Sequence, residues 1–429
     1  MKRRRLLLLC IPIVVAAALA ACGAPGGGDD DEGSATEETT GPATGTLVIG
    51  GTEAGYMDAV VEGFKESHPD IDVQYSTLGV NFEGGGIQTL LRSGSGPDVL
   101  LVNSGPGRVG LLSEAGLIRP LDDVYEEFHL DDVYEPWITD QIRAQGDGTI
   151  YEIVEGVGVY QVYYNKKIFE DAGIEPPQTW DDFLSNCTTL RDAGVLPIVA
   201  GVRDNFAGGW MLGQLLQSSA GTDTMADVIY NGGEFAQPDV LRGAEMLKAL
   251  LDQGCIDGSA AAALDALQAK AAFIDGQGAM AFVAQELPGE AEKAGANRDD
   301  FGSFSMPSRD SSRPATPTAG LGYSWVMNAD TENVPAAKAW MEWVASEDYL
   351  RLTAENGLVQ VPARTIPDGV DIDESLANSA EARNDGAGFN PSVYLESGVV
   401  DAYYAAIQGL FTGQLSPQQA MEQIDAARR

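Results

Sequence analysis

The chain of 429 residues is poor in the groups that most metal and acid–base chemistry needs. It has two histidines, His68 and His129, and four cysteines. Zinc sites want Cys and His at short spacings, and none occurs. A Ser–His–Asp site on a G-x-S-x-G turn lacks its motif: in "SGSGPD", from Ser93, glycines directly flank Ser95, and the run precedes a strand instead of following one. No G-x-x-x-x-G-K-[ST] loop exists, and "GGTEAG" fails the G-x-G-x-x-G fingerprint because its second glycine would fall at Thr52. No cofactor or metal is therefore expected. Basic residues are also scarce: 26 Lys and Arg stand against 64 Asp and Glu, a net charge of −38. That disfavours nucleic acid and electrostatic adsorption to anionic lipid. It suits solubility outside the cell. There is no internal repeat and no second apolar run of membrane-spanning length.

What is present begins with a processing signal. Residues 2–5 are basic, residues 6–18 are apolar but too short to span a bilayer comfortably, and Leu19-Ala20-Ala21-Cys22 follows. This resembles the bacterial lipobox, in which the Cys22 thiol would be acylated and become the first mature residue; the alternative is an ordinary secretory signal with an incidental Cys. Residues 23–45, "GAPGGGDDDEGSATEETTGPATG", have no apolar period and read as an acidic tether. As a coil it would span about 25 Å. Cys187 and Cys255 then form an even pair in an oxidising compartment, either bridged or two buried thiols.

The folded part starts near Thr46. "TLVIGG" reads as a buried strand. Met57, Val60, Val61 and Phe64 recur at helical core spacing, and Pro69 ends that helix. "IDVQY" and "PDVLLV" are further strands with the helical "IQTLLRSG" between them. This β-α-β-α-β order predicts a parallel sheet with covering helices. A second series starts at "VYQVYY", continues through "LPIVAG" and "GAMAFV", and ends in helices. Within it, Thr179 and Asp182 form a capping box that starts a helix. Trp180, Trp340 and Trp343 sit at helical core positions.

In the order they occur, the lipobox, "GPDVLLVNSGPGRVGLLSEAGLIRPLDD", "VYYNKKIFEDAGIEPPQTWDDF", "DGQGAMAFVAQ" and "YLRLTAENGLVQVPAR" resemble the extracellular solute-binding proteins of sugar-type, maltose-binding-protein-like ABC importers. The resemblance implies an α/β, two-lobed periplasmic-binding-protein-like fold with a hinge and an interlobe ligand cleft. Crossings between lobes would fall near residues 155–160, 306–317 and 359–364. One lobe would take 46–157 and 310–360, and the other 160–306 and 361–429, after a signal at 1–21 and a tether at 22–45. It also implies a monomer on the extracytoplasmic face of the membrane, held by lipid alone, that passes a sugar or polyol to permease subunits.

Loops at strand ends supply the expected contacts. They are Glu53 and Tyr56; Asn103, Ser104 and Arg108; Glu155 and Tyr160; Asp204, Asn205, Phe206 and Trp210; Gln285 and Glu286; Tyr323 and Trp325; and Phe389, Asn390 and Tyr394. Amides, carboxylates and Arg suit sugar hydroxyls, and aromatic faces suit C–H faces. Many relatives carry a Gly-Pro-Trp-like step where this chain reads Ala284-Gln285-Glu286-Leu287-Pro288, so no aromatic platform is expected there. The alternative is a secreted carbohydrate-active hydrolase on the same tether, which needs two carboxylates flanking a scissile bond.

Overall fold

The computed structural model describes residues 41–51, 56–78, 86–204, 206–358, 360–384 and 386–429. The lipobox, Cys22, and the tether up to residue 40 lie outside them, as do Glu53 and Asn205. Among the described residues no helix is long and apolar enough to cross a membrane.

Twelve strands form two sheets among the described residues: β1 Gly45–Gly51, β2 Ile71–Thr77, β3 Val99–Asn103, β4 Ile153–Val154, β5 Gly156–Asn165, β6 Ile198–Val199, β7 Met280–Ala284, β8 Phe301–Phe304, β9 Thr318–Leu321, β10 Tyr323–Met327, β11 Val361–Pro362 and β12 Gly388–Phe389. The first sheet has the order β2-β1-β3-β10-β4. Its first three strands are parallel, as the β-α-β-α-β pattern predicts. β10 then joins antiparallel to β3, and β4 antiparallel to β10. The helix Met57–Ser67 buries Met57, Val60, Val61 and Phe64, and Phe64 packs edge-on to Trp340 and Trp343, 5.0 and 6.1 Å between centroids.

The second sheet has the order β12-β9-β5-β7-β6, with β8 and β11 also on β5. The chain passes between sheets at Glu155, from β4 to β5, and again at Gly322, from β9 to β10. The sequence predicts the second passage within 306–317. The passage between sheets falls at Gly322, because Thr318–Leu321 pairs with Val157–Tyr160 of the second sheet, while Ala319 and Leu321 pack into the core of the first. Gly322 sits where the crossing segments meet. Its N–H donates to Gly156 O at 2.8 Å and its carbonyl accepts from Ser104 N at 2.8 Å. A Cβ there would lie 2.1 Å from Gln360 Oε1, which itself accepts from Tyr323 N at 2.8 Å. A larger residue there would have to displace the Gln360 side chain from this junction.

In the second lobe β5 ends at Asn165, whose side chain caps the helix Lys166–Ala172. Thr179 and Asp182 form both halves of a capping box for the helix Trp180–Asp192. Cys187, on that helix, and Cys255 are buried, free thiols. They are unbridged, and the hydrogen bond between them together with burial pushes the Cys187 thiol up.

Candidate ligand-binding site

The first sheet directs the carboxyl end of β3 toward the second lobe. Asn103 ends β3 opposite Tyr323. Ser104 is buried and donates to Glu152 Oε1 at 3.0 Å. Burial pushes the Glu152 carboxyl up to about 7, although Ser324 and Ser104 beside it act the other way. Gly105 then turns the chain at φ +122°, where a Cβ would lie 2.2 Å from Val393 O of the second lobe. Arg108 Nη1 donates to Ser104 O at 3.4 Å and to Ser392 O at 3.3 Å, joining the two lobes. Tyr394 reaches back, its hydroxyl 2.9 Å from Gln141 Oε1.

Glu155 lies at the first crossing and is held by three donors. The Tyr56 and Tyr349 hydroxyls donate to its two oxygens, and Trp325 Nε1 donates to Oε2 at 3.1 Å. Tyr56, Trp325 and Tyr349 are all buried. Burial raises the Glu155 carboxyl, and the three donors oppose that rise. Of the residues the sequence nominates, Tyr56, Glu155 and Trp325 thus form one internal network in the first lobe. Trp325 is inside β10, and its indole packs edge-on to Trp340 at 5.2 Å. Tyr349, the fourth member, was not nominated: it stands in a helix, and only tertiary packing brings it here.

The second lobe presents an open cavity of about 140 Å³ at the carboxyl ends of β6 and β7 and the start of the helix Phe206–Ala220. Phe206, Trp210, Leu267, Lys270 and Glu286 are among its lining residues. Trp210 packs on Phe206 at 5.0 Å and on Tyr160 at 4.9 Å. Lys270 Nζ lies 3.3 Å from Glu286 Oε1 and 2.5 Å from Glu290 Oε2. Burial raises the Glu286 carboxyl, and Lys270 pulls it back. Lys270 and Leu267 were not nominated. The signal was present but weak: a single Lys in the apolar run of the helix Ala266–Ile274.

The remaining nominated residues divide. Asp204 Oδ2 accepts from Ala266 N at 3.1 Å, so it holds a helix start. Gln285 is buried, and its Oε1 accepts from Val159 N at 2.8 Å, tying the loop after β7 to β5. Asn390 is buried and accepts from the Ser392 hydroxyl at 3.0 Å. Phe389 and Tyr394 pack edge-on, 5.4 Å apart. Among the described residues no group of three or more His, Cys, Asp or Glu could hold a metal ion.

Two sheets joined by crossing strands, with strand-end loops facing the join, define a two-lobed solute receptor. Residues 50–350 match the model of the bacterial extracellular solute-binding protein family, and the chain belongs to that family. A protein of Brucella abortus (strain 2308) described as a binding protein is 20% identical over 387 residues, covering 87% of this chain and 88% of its own. The sn-glycerol-3-phosphate-binding periplasmic protein of Shigella flexneri is 23% identical over 215 residues, covering 46% of this chain and 47% of its own. Among solved structures, a chitin oligosaccharide binding protein superposes with TM-score 0.77 at 22% identity, over 89% of this chain and 98% of its own. The maltose-maltodextrin binding protein of Alicyclobacillus acidocaldarius does so with TM-score 0.69 at 21% identity, over 89% and 99%. These relatives and neighbours are described as binding proteins, and nothing in them supports the hydrolase alternative.

Proposed function

We propose that this protein captures a neutral saccharide or polyol outside the cell and delivers it to the permease of an ABC importer. The observation that carries the reading is the second-lobe cavity, lined by Phe206, Trp210, Glu286 and Lys270, with Tyr160 packed against Trp210. Aromatic faces suit the C–H faces of a sugar, and carboxylate and ammonium groups suit its hydroxyls. Structural neighbours described as binding chitin oligosaccharide, maltodextrin and laminaribiose support the same class.

A phosphate ester is the chemistry suggested by the glycerol-phosphate-binding relative. It fits less well. Phosphate calls for cations that are not already committed, yet Lys270 is shared between two carboxylates and Arg108 donates to two carbonyls. Residues 52–55 and 79–85 carry no Lys or Arg.

Capture works by population shift. A ligand that touches both lobes only when they are closed favours closure by its differential affinity. A micromolar ligand supplies about 8 kcal/mol in all. Glu53, Asn103, Asn205 and Tyr323 complete the proposed contact set, with Arg108 and Tyr394 joining the lobes. The lipid on Cys22 holds a monomer to the extracytoplasmic face of the membrane, and the tether lets it reach the permease.

The test is a thermal-shift screen of neutral sugars, polyols and their phosphate esters. A saccharide well above its Kd should raise Tm by several degrees. A response to glycerol phosphate alone, or to peptides alone, would sink the reading.

A further inference from the structure

We propose that Cys187 and Cys255 close to a disulfide once the chain is outside the cell, and that this bridge braces the strand leading into the wall of the second-lobe cavity. The inference rests on the extracellular placement of the family and does not depend on the saccharide reading.

The fold holds two distant segments of chain against one another. Cys187 is on the helix Trp180–Asp192. One turn later, Arg191 Nη1 donates to Gln253 O, 62 residues further on, at 2.7 Å. Gly254 then turns the chain at φ +70°, and a Cβ there would lie 3.7 Å from Arg191 Cδ. Cys255 follows at once. Its N–H donates to Leu250 O at 2.9 Å, and its carbonyl accepts from Ile198 N at 3.0 Å. Ile256 continues as a parallel bridge to Ile198. Backbone hydrogen bonds on both sides thus fix Cys255 beside the helix that carries Cys187. The two thiols meet there in a hydrogen bond, buried in one core cluster with Leu190, Leu247 and Leu250. A disulfide needs two cysteines whose side chains point at each other across a short backbone gap, and this contact supplies that geometry.

A single buried cysteine packs as a small apolar group and needs no second one. Two that meet in a protein exported to an oxidising compartment are a disulfide framework. The sequence after residue 22 has no other cysteine, so neither can pair elsewhere in the mature chain. The oxidant, by class, is a disulfide-bearing exchange protein of that compartment. One cysteine attacks its disulfide as the thiolate, forms a mixed disulfide and releases one oxidant thiol. The other cysteine loses its proton, attacks the mixed disulfide and releases the second. Two protein thiols are oxidised by two electrons, and one oxidant disulfide is reduced to two thiols. Burial closes both cysteines to an exchange protein, so the exchange takes place as the chain folds outside the cell, and the finished core then shields the bridge.

The bridge lies where it serves the site. Ile198 begins β6, and Val199, Ala200, Gly201 and Val202 after it line the cavity. The segment that starts at Cys255 runs alongside this wall: Ile198 N donates to Cys255 O, Val202 N to Ala261 O at 2.9 Å, and Arg203 N to Leu264 O at 3.0 Å. A covalent bond at Cys255 ties the start of that segment to the helix Trp180–Asp192. It also cross-links a long loop, which removes freedom from the unfolded chain.

The test is a thiol count by mass spectrometry on the full chain exported by a bacterial host, alkylated in denaturant without reductant and digested with trypsin. Cys187 and Cys255 fall in separate peptides, residues 168–191 and 249–270, each with one cysteine. The two peptides should be found joined and unalkylated, and reduction should release them. The exported protein should melt several degrees above the same protein reduced in denaturant and refolded under reductant. The double variant Cys187→Ala, Cys255→Ala should show no such difference between the two treatments. Alkylation of both cysteines in the exported protein would overturn the inference, and so would finding either one joined to another chain or to a small thiol. A joined pair whose reduction leaves Tm unchanged, or a double variant that keeps the full difference, would overturn the bracing role. None of these outcomes bears on which solute binds.

Discussion

Glu155 and Glu286 are both acids in loops at strand ends, one in each lobe, and the structure treats them oppositely. Glu155 accepts from Tyr56, Tyr349 and Trp325, all buried beside it. Glu286 shares Lys270 with Glu290 at the wall of a cavity. A carboxylate whose lone pairs are filled by its own fold holds structure together. A carboxylate with one partner and an open side has capacity left for a ligand. Strand-end position alone does not separate the two; the donors supplied from elsewhere in the chain do.

Removing the caged carboxylate is the strongest way to break this comparison. Glu155→Ala would strand the buried Tyr56 and Tyr349 hydroxyl donors, each costing about 1–3 kcal/mol, and leave the Trp325 indole only the Tyr349 hydroxyl at 3.3 Å. The expected outcome is a loss of at least about 2 kcal/mol of stability in urea denaturation, with ligand affinity little changed wherever the fold persists. If Glu155→Ala weakened binding tenfold and left the urea midpoint alone, the assignment would be reversed.

Glu152 offers an intermediate case, because it is buried with hydroxyls beside it instead of a cage. Its carboxyl is raised to about 7 from an ordinary 4.5. Between those values the folded protein keeps a proton that the unfolded chain releases. Stability contributed by this group therefore falls as pH rises from about 4.5 to about 7, then levels off. At about 1.4 kcal/mol per unit, the full penalty is about 3 kcal/mol. Glu152→Gln should flatten that part of the stability profile, so that the variant gains over the wild type at pH 8 and not at pH 4. A profile unchanged by the substitution would count against the burial argument.

How far the sequence carried these distinctions depends on the range of the interactions. The helix Met57–Ser67 was legible because its four core residues are neighbours in the chain. So was the capping box of Thr179 and Asp182. The interleaving of β10 between β3 and β4 was not, because strands about 170 and 220 residues apart leave no local trace. The same distance hid the cage: Tyr349 comes 194 residues after Glu155. Trp325 looked like a loop aromatic because its strand is only five residues long. Phe206, Trp210 and Glu286 come together because the segments after β6 and β7 open on one cavity. Lys270, which sets the charge of that cavity, arrives from a helix whose other residues are mostly apolar.

Trp210 tests the open side of the comparison. Its ring packs on Phe206 and Tyr160 and lines the cavity. Trp210→Ala should weaken saccharide binding by about thirtyfold, or about 2 kcal/mol, in calorimetric titration. Its effect on the urea midpoint should be smaller than that of Glu155→Ala. Equal losses of stability in the two variants would mean that Trp210 is core and the cavity is incidental.

The smallest effect is the most discriminating. Glu286→Gln removes one charge but leaves Lys270 its 2.5 Å contact with Glu290, so the fold should lose less stability than in Glu155→Ala. A carboxylate accepts more strongly than an amide oxygen, so affinity for a hydroxyl-rich ligand should fall about fivefold, about 1 kcal/mol. The wild type should also lose affinity in acid, because burial has raised the Glu286 carboxyl and protonation removes the same acceptor charge. The variant has nothing there to titrate and should lose less. If both proteins weakened in parallel as pH fell, the acid sensitivity would lie elsewhere, and Glu286, like Glu155, would be holding its own lobe together.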